Sequence, residues 1–284
     1  MLWRVRTTLP DRPGALAALA ASCGNAGANI LGLQIFPGVE SVTDELVLRT
    51  PDGWGEAEIA DLLAHSGGHS VSAAPCTEAA LMDQPTRYVQ AARSILARPA
   101  SFPEVVARLF DAEAGAVEQD VMELMVGDVQ VQVSRTAPFT ATEHARGAAM
   151  ADLVSDVLAR DHAVPASTRR VGTGVAPEYV VEGDSVSAVV DGVGVGLAVI
   201  AADGEVTLRV DPAWQRRGIG TRLLADTARL ANALGVDEIV LTTRSDNQAV
   251  LPMVMAAGLR GRIRMAGDQL TVRIAVRDLK PLVT

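Results

Sequence analysis

The chain has 284 residues, a length that suits two domains better than one. Apolar residues make up 49% of the chain and aromatic residues only 3%, so its cores must be packed mainly by Ala, Val and Leu. The formal net charge of −9 argues against nucleic acid or an anionic membrane as the main partner, because no overall positive field is present to hold phosphates.

Two further features concern redox state and targeting. Cys23 and Cys76 are too few for a disulfide framework and have no metal-ligand spacing with the four histidines, so both are expected to be reduced thiols. The N-terminal residues MLWRVRTTLPDRPG contain no apolar signal segment, and no run of about twenty apolar residues occurs. We therefore expect a soluble cytoplasmic protein without a metal site.

The first 77 residues are predicted to fold as β-α-β-β-α-β. Apolar and polar residues alternate over residues 2–9, as in a half-buried strand. Two prolines and a glycine in residues 10–14 end that strand. Leu16, Leu19 and Cys23 have helical spacing, with a stop at Gly27. The other predicted elements are strands at 29–36, 42–49 and 69–74 and a helix around 59–63. This order is typical of a ferredoxin-like sandwich in an α+β fold.

Residues 78–118 are predicted to be a helical connector. Stretches 87–97 and 103–112 have helical patterns, with Pro85, Pro99 and Pro103 between and around them. This part shows no internal repeat of the first 75 residues and no low-complexity linker.

Residues 119–284 are predicted to form a second domain with a mixed, mostly antiparallel sheet. Strands at 121–126 and 129–134 precede a helix at 143–159, capped by Thr140 or Thr142, and a loop at 162–178. Three alternating runs (185–190, 193–200 and 205–210) are joined by Asp191-Gly192 and Asp203-Gly204. Asp-Gly between such runs predicts type I′ hairpins, in which both turn residues need positive φ.

The rest of the chain is predicted to continue with helix, strand, helix and two strands. Ile219, Leu223, Thr227, Leu230 and Leu234 fall on one helical face, and Gly235 ends that helix. The remaining predicted elements are a buried strand at 236–243, a helix at 247–257, and strands at 259–265 and 269–277 that turn at Gly267-Asp268.

A basic turn with two glycines, VDPAWQRRGIGT from Val210 to Thr221, joins the third run to the next helix. The start of a helix presents unpaired N–H groups and a partial positive charge, so it can bind an anion. Gly218 and Gly220 have no Cβ atoms to keep a diphosphate away, and Arg216 and Arg217 add charge. A pyrophosphate is the expected ligand, although a G-x-G at a helix start also occurs in purely structural turns.

The segment Gln215-Arg216-Arg217-Gly218-Ile219-Gly220 resembles the Q/R-x-x-G-x-G/A signature of the GNAT acetyltransferase superfamily. The similarity covers about residues 120–278 and includes Asn247, placed ahead of Gly258-Leu259 as in that family. It implies acetyl-CoA as the cofactor, with its pantetheine bound by strand backbone and by the Asn, and its pyrophosphate held at the turn. The implied cofactor residues are Leu208, Arg209, Val210, Arg216, Arg217, Gly218, Ile219, Gly220, Thr221 and Asn247.

Glu205 is the candidate catalytic base. Acetyl transfer to an amine needs the neutral amine, so a base must take or relay its proton. The phrase GEVTLRV (204–210) is similar to A-E-V-A-F-x-V in the bacterial protein lysine acetyltransferases of the GNAT superfamily, and this resemblance implies the catalytic role. The alternative is an exposed Glu that only closes an Asp-Gly hairpin.

The sequence departs from the family at two points. Many GNAT enzymes carry a Tyr as general acid in the helix after the Asn, and the helix after Asn247 has none; lysine acetyltransferases of the bacterial type often lack it too. Pro252 removes a backbone donor and is expected to distort the first turns of that helix, which affects how Asn247 is placed.

The turn DRPGAL (11–16), followed by GANI (27–30), resembles the D-R-P-G-x-L and G-x-N-I segments of ACT domains over about residues 2–76. ACT domains usually pair side by side and bind a small amino acid at the interface. The resemblance implies a homodimer through this domain and a free amino acid as effector; a domain that only dimerises is the alternative. The implied effector contacts are Asp11, Arg12, Pro13, Gly14, Ala15, Leu16 and, across the pair, Asn29, Ile30 and Leu31.

An ACT domain ahead of a GNAT domain resembles the actinobacterial amino-acid-regulated protein lysine acetyltransferases. This resemblance implies acetylation of protein lysines, for example those of an acyl-CoA synthetase, under control of a free amino acid. Two alternatives stay open. One is acetylation of a small amine or amino acid with feedback control, and the other is a non-catalytic sensor of acetyl-CoA and an amino acid.

Overall fold

The computed structural model describes residues 1–38, 41–112, 120–163, 176–266 and 268–280, without the side chains of 161–163. The described chain divides into two compact units. Unit 1 contains Met1–Gln90, Asp120 and Arg135–Arg146, and unit 2 contains the other described residues. The bounds 1–77, 78–118 and 119–284 remain a prediction from the sequence.

A four-stranded sheet with two helices on one face forms most of unit 1. Its strand order is β2-β3-β1-β4, and every neighbouring pair is antiparallel. Alternating apolar side chains such as Val5 and Leu46 pack with Leu19 and Leu63 of the helices in one core. The elements are β1 (Leu2–Pro10), α1 (Ala15–Asn25), β2 (Asn29–Pro37), β3 (Ser41–Arg49), α2 (Glu56–His65) and β4 (His69–Pro75).

Two helices follow this sheet. A 3₁₀ turn at Glu78–Leu81 leads into α3 (Gln84–Ala97), and α4 (Phe102–Leu109) comes after a second 3₁₀ turn at Pro99–Ser101. The predicted helical character of this stretch is thus confirmed as far as Leu109. The predicted end of the connector, at 113–118, lies outside the described residues.

Two sheets form the frame of unit 2. One has the order β10-β9-β8-β7 and is antiparallel, and the other has the order β11-β13-β12-β6-β5, with β12 and β6 parallel. The strands are β5 (Asp120–Val126), β6 (Val129–Arg135), β7 (Glu178–Glu182), β8 (Ser185–Val190), β9 (Val193–Ile200), β10 (Val206–Val210), β11 (Glu238–Arg244), β12 (Gly261–Ala266) and β13 (Gln269–Ala275). The helices are α5 (Ala141–Ala163), α6 (Ile219–Ala233) and α7 (Val250–Ala256).

Several sequence predictions for this part need correction. β7 was not predicted from the sequence, although Tyr179, Val180 and Val181 favour strand and pair with β8. The predicted loop at 162–178 lies mostly outside the described residues. Asp191 and Gly192 both have positive φ (50° and 79°), as a type I′ turn requires, whereas at the Asp203-Gly204 turn only the glycine does (85°). Leu234 is 51% exposed and does not belong to the buried face of α6.

Pro252 does not distort α7, contrary to the sequence prediction. The helix begins at Val250, so the proline is its third residue, where a backbone N–H has no intrahelical acceptor. The first helical hydrogen bond in this region runs from Met253 N to Ala249 O (3.1 Å). The predicted start at Asn247 was therefore three residues early, and the turn at Gly267-Asp268 lies partly outside the described residues.

Thr140 caps α5, as the sequence suggested, in a reciprocal capping box with Glu143. The Thr140 Oγ1 accepts from Glu143 N (3.2 Å), and Thr140 N donates to the carboxylate of Glu143 (2.9 Å). The same carboxylate receives bidentate bonds from two arginines of unit 1. Arg6 donates at 2.7 and 3.2 Å and Arg135 at 2.8 and 3.0 Å.

Glu143 is thus a buried anion held by two cations. It is 3% exposed, and Arg6 and Arg135 are 9% and 2% exposed. Burial alone raises the pKa of Glu143, but the hydrogen bonds from Arg6 and Arg135 outweigh burial and lower that pKa to about 2. The carboxylate therefore stays ionised at neutral pH. Arg6 also donates to Glu45 (2.8 Å), which extends the network to the middle of the sheet.

None of the described helices is both long enough and apolar enough to cross a membrane.

Candidate functional site

A cleft opens where β10 and β11 separate. The two strands meet in one parallel bridge between Glu205 and Val240, and Val240 N donates to Gly204 O (3.0 Å). Beyond this point each strand is the edge of its own sheet. The space between them has a volume of about 390 Å³.

Gly204 allows the close approach that closes one end of this cleft. Its φ is +85°, and a Cβ atom on it would lie 2.7 Å from the backbone oxygen of Glu238. We expect Gly204→Ala to lower the free energy of unfolding by about 1–3 kcal/mol, because the strained backbone and the contact both have to be relieved. Urea unfolding measures the change. Gly183→Ala, with φ +58° and open space around its Cβ, is the matched control and should lose less.

The free edge of β10 turns backbone polar groups toward the cleft. Ala201 N donates to Glu205 O (2.8 Å) and Asp211 N donates to Val195 O (2.9 Å), so the odd-numbered residues bond toward β9. Neighbouring residues of a strand bond in opposite directions. The N–H and C=O groups of Leu208 and Val210 therefore point to the cleft, whereas those of Arg209 point to β9.

The basic turn ends in a helix start with available N–H groups. Arg216 and Gly218 both have left-handed backbones (φ 59° and 83°), and the first hydrogen bond of α6 joins Arg222 N to Gly218 O (3.0 Å). The N–H groups ahead of Arg222 thus have no acceptor within the helix. Gln215 Nε2 bonds Val210 O (3.1 Å) and holds the turn against the end of β10.

The two arginines of the turn differ in position. Arg216 lines the cleft. The guanidinium of Arg217 lies 4.7 Å from the centre of the Trp214 ring, and Arg217 is not among the described residues that line the cleft. Both arginines were predicted from the sequence to contact phosphate. Their adjacency in the chain does not reveal that one of them has a cation–π partner.

Asn247 lies on the other side of the cleft. Its side-chain oxygen accepts from Ala249 N (3.1 Å), and its Nδ2 donates to Thr243 Oγ1 (3.0 Å). These bonds hold the amide between the end of β11 and the start of α7. Thr243, which also lines the cleft, was not predicted from the sequence.

Glu205 lies at the closed end of the cleft, on its lining. The side chain is exposed, and its backbone N–H is bonded to Asp203 Oδ1 (3.1 Å). An exposed carboxylate beside the cleft can accept a proton from a bound group and pass it to water.

Six of the predicted site residues are brought together on the cleft lining: Glu205, Leu208, Val210, Arg216, Gly220 and Asn247. Arg209, Arg217, Gly218, Ile219 and Thr221 are next to the cleft in the chain but do not line it. Sequence reasoning missed the residues supplied by β11 and α7, notably Leu241, Thr242, Thr243, Val250 and Met253. The alternation of β11 was a signal for its three residues, but it does not show which sheet edge a strand occupies.

The predicted effector residues do not come together within one chain. Leu2 of β1 and Asn29 of β2 both face Arg49, while Pro10 faces Ser41 at the other end of β3. The turn of Asp11–Leu16 and the segment Asn29–Leu31 are therefore at opposite ends of the sheet. Contact between them across a pair of chains remains a prediction.

The sequence profile described as "Acetyltransferase (GNAT) family" matches residues 173–258. This range contains β8, β9, β10, α6, β11 and most of the cleft. The match supports a GNAT acetyltransferase domain at residues 173–258. The chain therefore carries an acyltransferase domain, and acetyl-CoA is its cofactor.

Solved structures align with parts of this chain at low identity. The ribosomal-protein-S18-alanine N-acetyltransferase from Escherichia coli has 20% identity over 43% of this chain and 83% of its own, with a TM-score of 0.28. YncA from Salmonella typhimurium, solved with its cofactor acetyl-CoA, has 20% identity over 35% and 69%, with a TM-score of 0.28.

A third solved structure is that of a different enzyme. The formyltetrahydrofolate deformylase from Pseudomonas putida has 15% identity over 27% of this chain, with a TM-score of 0.24, and the chain spans only 29% of the deformylase. Likenesses at these values carry no argument about activity. A comparison with curated proteins gave no match.

The cleft of the acetyltransferase domain fits a nucleotide diphosphate with an amide-bearing arm. A Cβ atom on Gly220 would lie 3.3 Å from the Met253 sulfur and 3.7 Å from a Val210 methyl, so the glycine keeps the space beside the helix start open. The N–H groups of that helix start and Arg216 suit an anion, and the inward polar groups of β10 suit amides.

Arg216→Ala should raise the KM for acetyl-CoA about tenfold or more, because a charge-assisted contact to phosphate is worth about 1.5–3 kcal/mol. Arg217→Ala should raise it less, since that guanidinium is stacked on Trp214. Steady-state kinetics with varied acetyl-CoA measure both. Equal effects of the two substitutions would show that Arg217 leaves the indole when the cofactor binds.

Proposed function

We propose that the chain is an N-acetyltransferase of protein lysines, for example those of an acyl-CoA synthetase, regulated by a free amino acid through an ACT-type unit 1. The observation that carries the catalytic part is the position of Glu205 on the cleft lining. An exposed carboxylate beside an exposed cleft is accessible to a lysine side chain of another protein.

The reaction assigns separate tasks to the residues around the cleft. Acetyl-CoA supplies an activated acetyl group when bound. Glu205 accepts a proton from the lysine ammonium, so that the neutral amine is available as nucleophile. The β10 edge binds the pantetheine amides through Leu208 and Val210, and Asn247, itself held by Thr243, contributes from the opposite side. The α6 start and Arg216 bind the pyrophosphate.

The regulatory part of the proposal is supported by the architecture of unit 1. The order β-α-β-β-α-β and the sheet order β2-β3-β1-β4 support a ferredoxin-like sandwich, the fold of ACT domains. The α1 helix begins after Gly14, whose φ is +89°, and its first hydrogen bond runs from Ala18 N to Gly14 O (3.0 Å). Ala15 N donates to Arg12 O (3.3 Å), and the N–H groups of Leu16 and Ala17 are available to a ligand carboxylate.

We infer a homodimer formed through β2. This strand is an edge of the unit 1 sheet, and Leu33 and Ile35 on it are 44% and 49% exposed. An edge strand with exposed apolar side chains is a site at which another strand can pair. Pairing with a second copy would extend the sheet and cover these side chains.

The test is acetyl transfer by the purified full chain. The chain is mixed with acetyl-CoA and an acyl-CoA synthetase, CoA release is followed with a thiol reagent, and acetyl-lysine is located by mass spectrometry, with each of the twenty amino acids added in turn. We expect acetyl-lysine on the synthetase and a rate that one amino acid changes. Transfer only to free amino acids or small amines would replace the lysine proposal, and no transfer to any acceptor would refute it.

A further inference from the structure

Unit 1 contains a second cleft, on the face of its sheet opposite α1 and α2. Its volume is about 430 Å³. The floor is formed by Gly32 and Gln34 of β2 and by Glu45 and Val47 of β3, and residues 80–87 form a wall. This cleft is separate from the α1 turn, and nothing in the proposed function assigns it a ligand.

Glu45 lines this cleft and has one carboxylate oxygen without a hydrogen bond to the described residues. Its side chain is 9% exposed. Oε2 accepts from Arg6 Nε (2.8 Å) and lies 2.7 Å from a second nitrogen of the same guanidinium. Oε1 has Arg4 Nε at 3.9 Å, which is beyond hydrogen-bonding distance. A nearly buried carboxylate oxygen on a cleft lining is a strong acceptor for a ligand cation.

The other residues that line the cleft indicate which further groups a ligand should carry. Leu81 and Met82, which line it, are 40% and 38% exposed, so they offer apolar surface that water now covers. Arg87 lines the same cleft and adds a cation, and Asp83 adds a second carboxylate. A lining with both signs of charge and an apolar wall suits a small zwitterion with an aliphatic group.

We propose that this cleft binds a free amino acid with an aliphatic side chain, with Glu45 accepting its ammonium group. The ligand carboxylate pairs with Arg87, and the aliphatic group packs on the wall formed by Leu81 and Met82. Charged groups in contact with the ligand are thereby matched in sign, which a simple amine or a simple carboxylic acid could achieve only in part.

The hydrogen-bond network gives this site a route to α5. The Glu45 carboxylate is shared with Arg6, and Arg6 is bonded to Glu143, whose carboxylate completes the cap of α5. A ligand ammonium at Oε1 shares the charge of the Glu45 carboxylate with Arg6, which is bonded to Oε2, and so changes how strongly Arg6 binds Glu143. The α5 helix continues into unit 2, so this step of the inference rests on the proposed regulation of the acetyltransferase.

Binding is tested on the full chain by isothermal titration with L-valine, L-leucine, L-isoleucine and L-methionine, one at a time, without acetyl-CoA. We expect at least one to bind with a Kd below about 1 mM. Two analogues of leucine serve as controls: leucinol lacks the carboxylate, and 4-methylpentanoate lacks the ammonium. Each should bind at least about tenfold more weakly than L-leucine. If none of the four amino acids binds, the proposal is refuted.

Two neighbouring substitutions locate the site. Ala80→Trp fills the cleft, and Ala79→Trp, at an exposed position that does not line it, is the control. We expect about a tenfold or greater loss of amino acid binding for Ala80→Trp alone. Equal binding by the two variants would overturn the proposal, as would a loss produced only by Arg12→Ala at the α1 turn.

Glu45→Gln provides a second test of amino acid binding at this cleft if the tryptophan variant does not fold. It should weaken L-leucine binding about tenfold and reduce the difference in affinity between leucine and 4-methylpentanoate, since the ammonium loses its anionic partner at position 45. Because these titrations contain no acetyl-CoA or acceptor, they remain informative if the chain acetylates no lysine. Conversely, acetylation without binding here would refute only the cleft.

Discussion

Replacing Glu205 by glutamine should lower kcat for acetyl transfer about 10²–10⁴-fold, the range typical of a lost general base. The substitution keeps the shape of the side chain on the cleft lining but removes its ability to accept a proton. The KM for acetyl-CoA should stay near the wild-type value, because the β10 edge, Arg216 and Asn247 are untouched. Steady-state kinetics with acetyl-CoA and the acceptor varied separately give both constants.

Glu238→Gln is the matched control. Glu238 is close in the fold, at the first residue of β11, but its carboxylate bonds the exposed Arg273 (2.8 Å) and does not line the cleft. Its loss should leave kcat within about twofold, as expected for a surface ion pair worth less than about 1 kcal/mol. A Glu205→Gln variant with wild-type kcat would remove Glu205 from the mechanism and leave it as the residue that ends a turn.

Replacing Glu143 by glutamine should lower the free energy of unfolding by about 3–5 kcal/mol, the cost of removing one partner from a buried ion pair. Arg135, which is 2% exposed, would lose its ionised partner, although the backbone oxygens of Ala137 and Pro138 would still accept from it. Total stabilities of about 5–15 kcal/mol make this a large fraction of the whole. Urea unfolding at neutral pH measures the loss.

Acid gives an independent measurement of the same group. The pKa of Glu143 falls from 4.5 to about 2 in the folded chain, so its contribution is fully present above pH 4.5 and is lost as the pH falls toward 2. Stability of the wild type should therefore drop faster than that of Glu143→Gln over this interval. Glu104→Gln, which breaks an exposed pair with Arg108, should change stability by less than about 1 kcal/mol at neutral pH. Parallel acid profiles for wild type and Glu143→Gln would contradict the assignment.

Local signals made much of the secondary structure predictable. Alternation in residues 2–9 predicted β1, and the Asp191-Gly192 pair predicted the turn between β8 and β9 with the required signs of φ. The basic turn before α6 was predictable because glycines, arginines and a helix start all lie within twelve residues. In each case one short segment contains the whole physical reason for the structure.

What the sequence did not predict depends on residues far apart in the chain. Thr243 and Met253 line the cleft because β11 and β10 are edges of different sheets, which a pattern within one strand does not show. Arg217 makes a cation–π contact with Trp214, which depends on the position of the ring and not on a sequence spacing. The Arg6–Glu143 pair could not be predicted either, since neither residue lies in a sequence motif that indicates its partner.

That pair joins positions 137 residues apart, which has a consequence for biosynthesis. A ribosome adding about 5–20 residues per second needs roughly 7–27 seconds to make the intervening chain. During this interval the first strand has emerged, but the acidic partner of Arg6 at the α5 cap does not yet exist. Until then, Glu45 is the carboxylate of this network that can pair with the charged guanidinium of Arg6 in the early sheet. We expect unit 1 to reach its final stability only after residue 146 has left the exit tunnel, although its sheet is encoded by the first 75 residues.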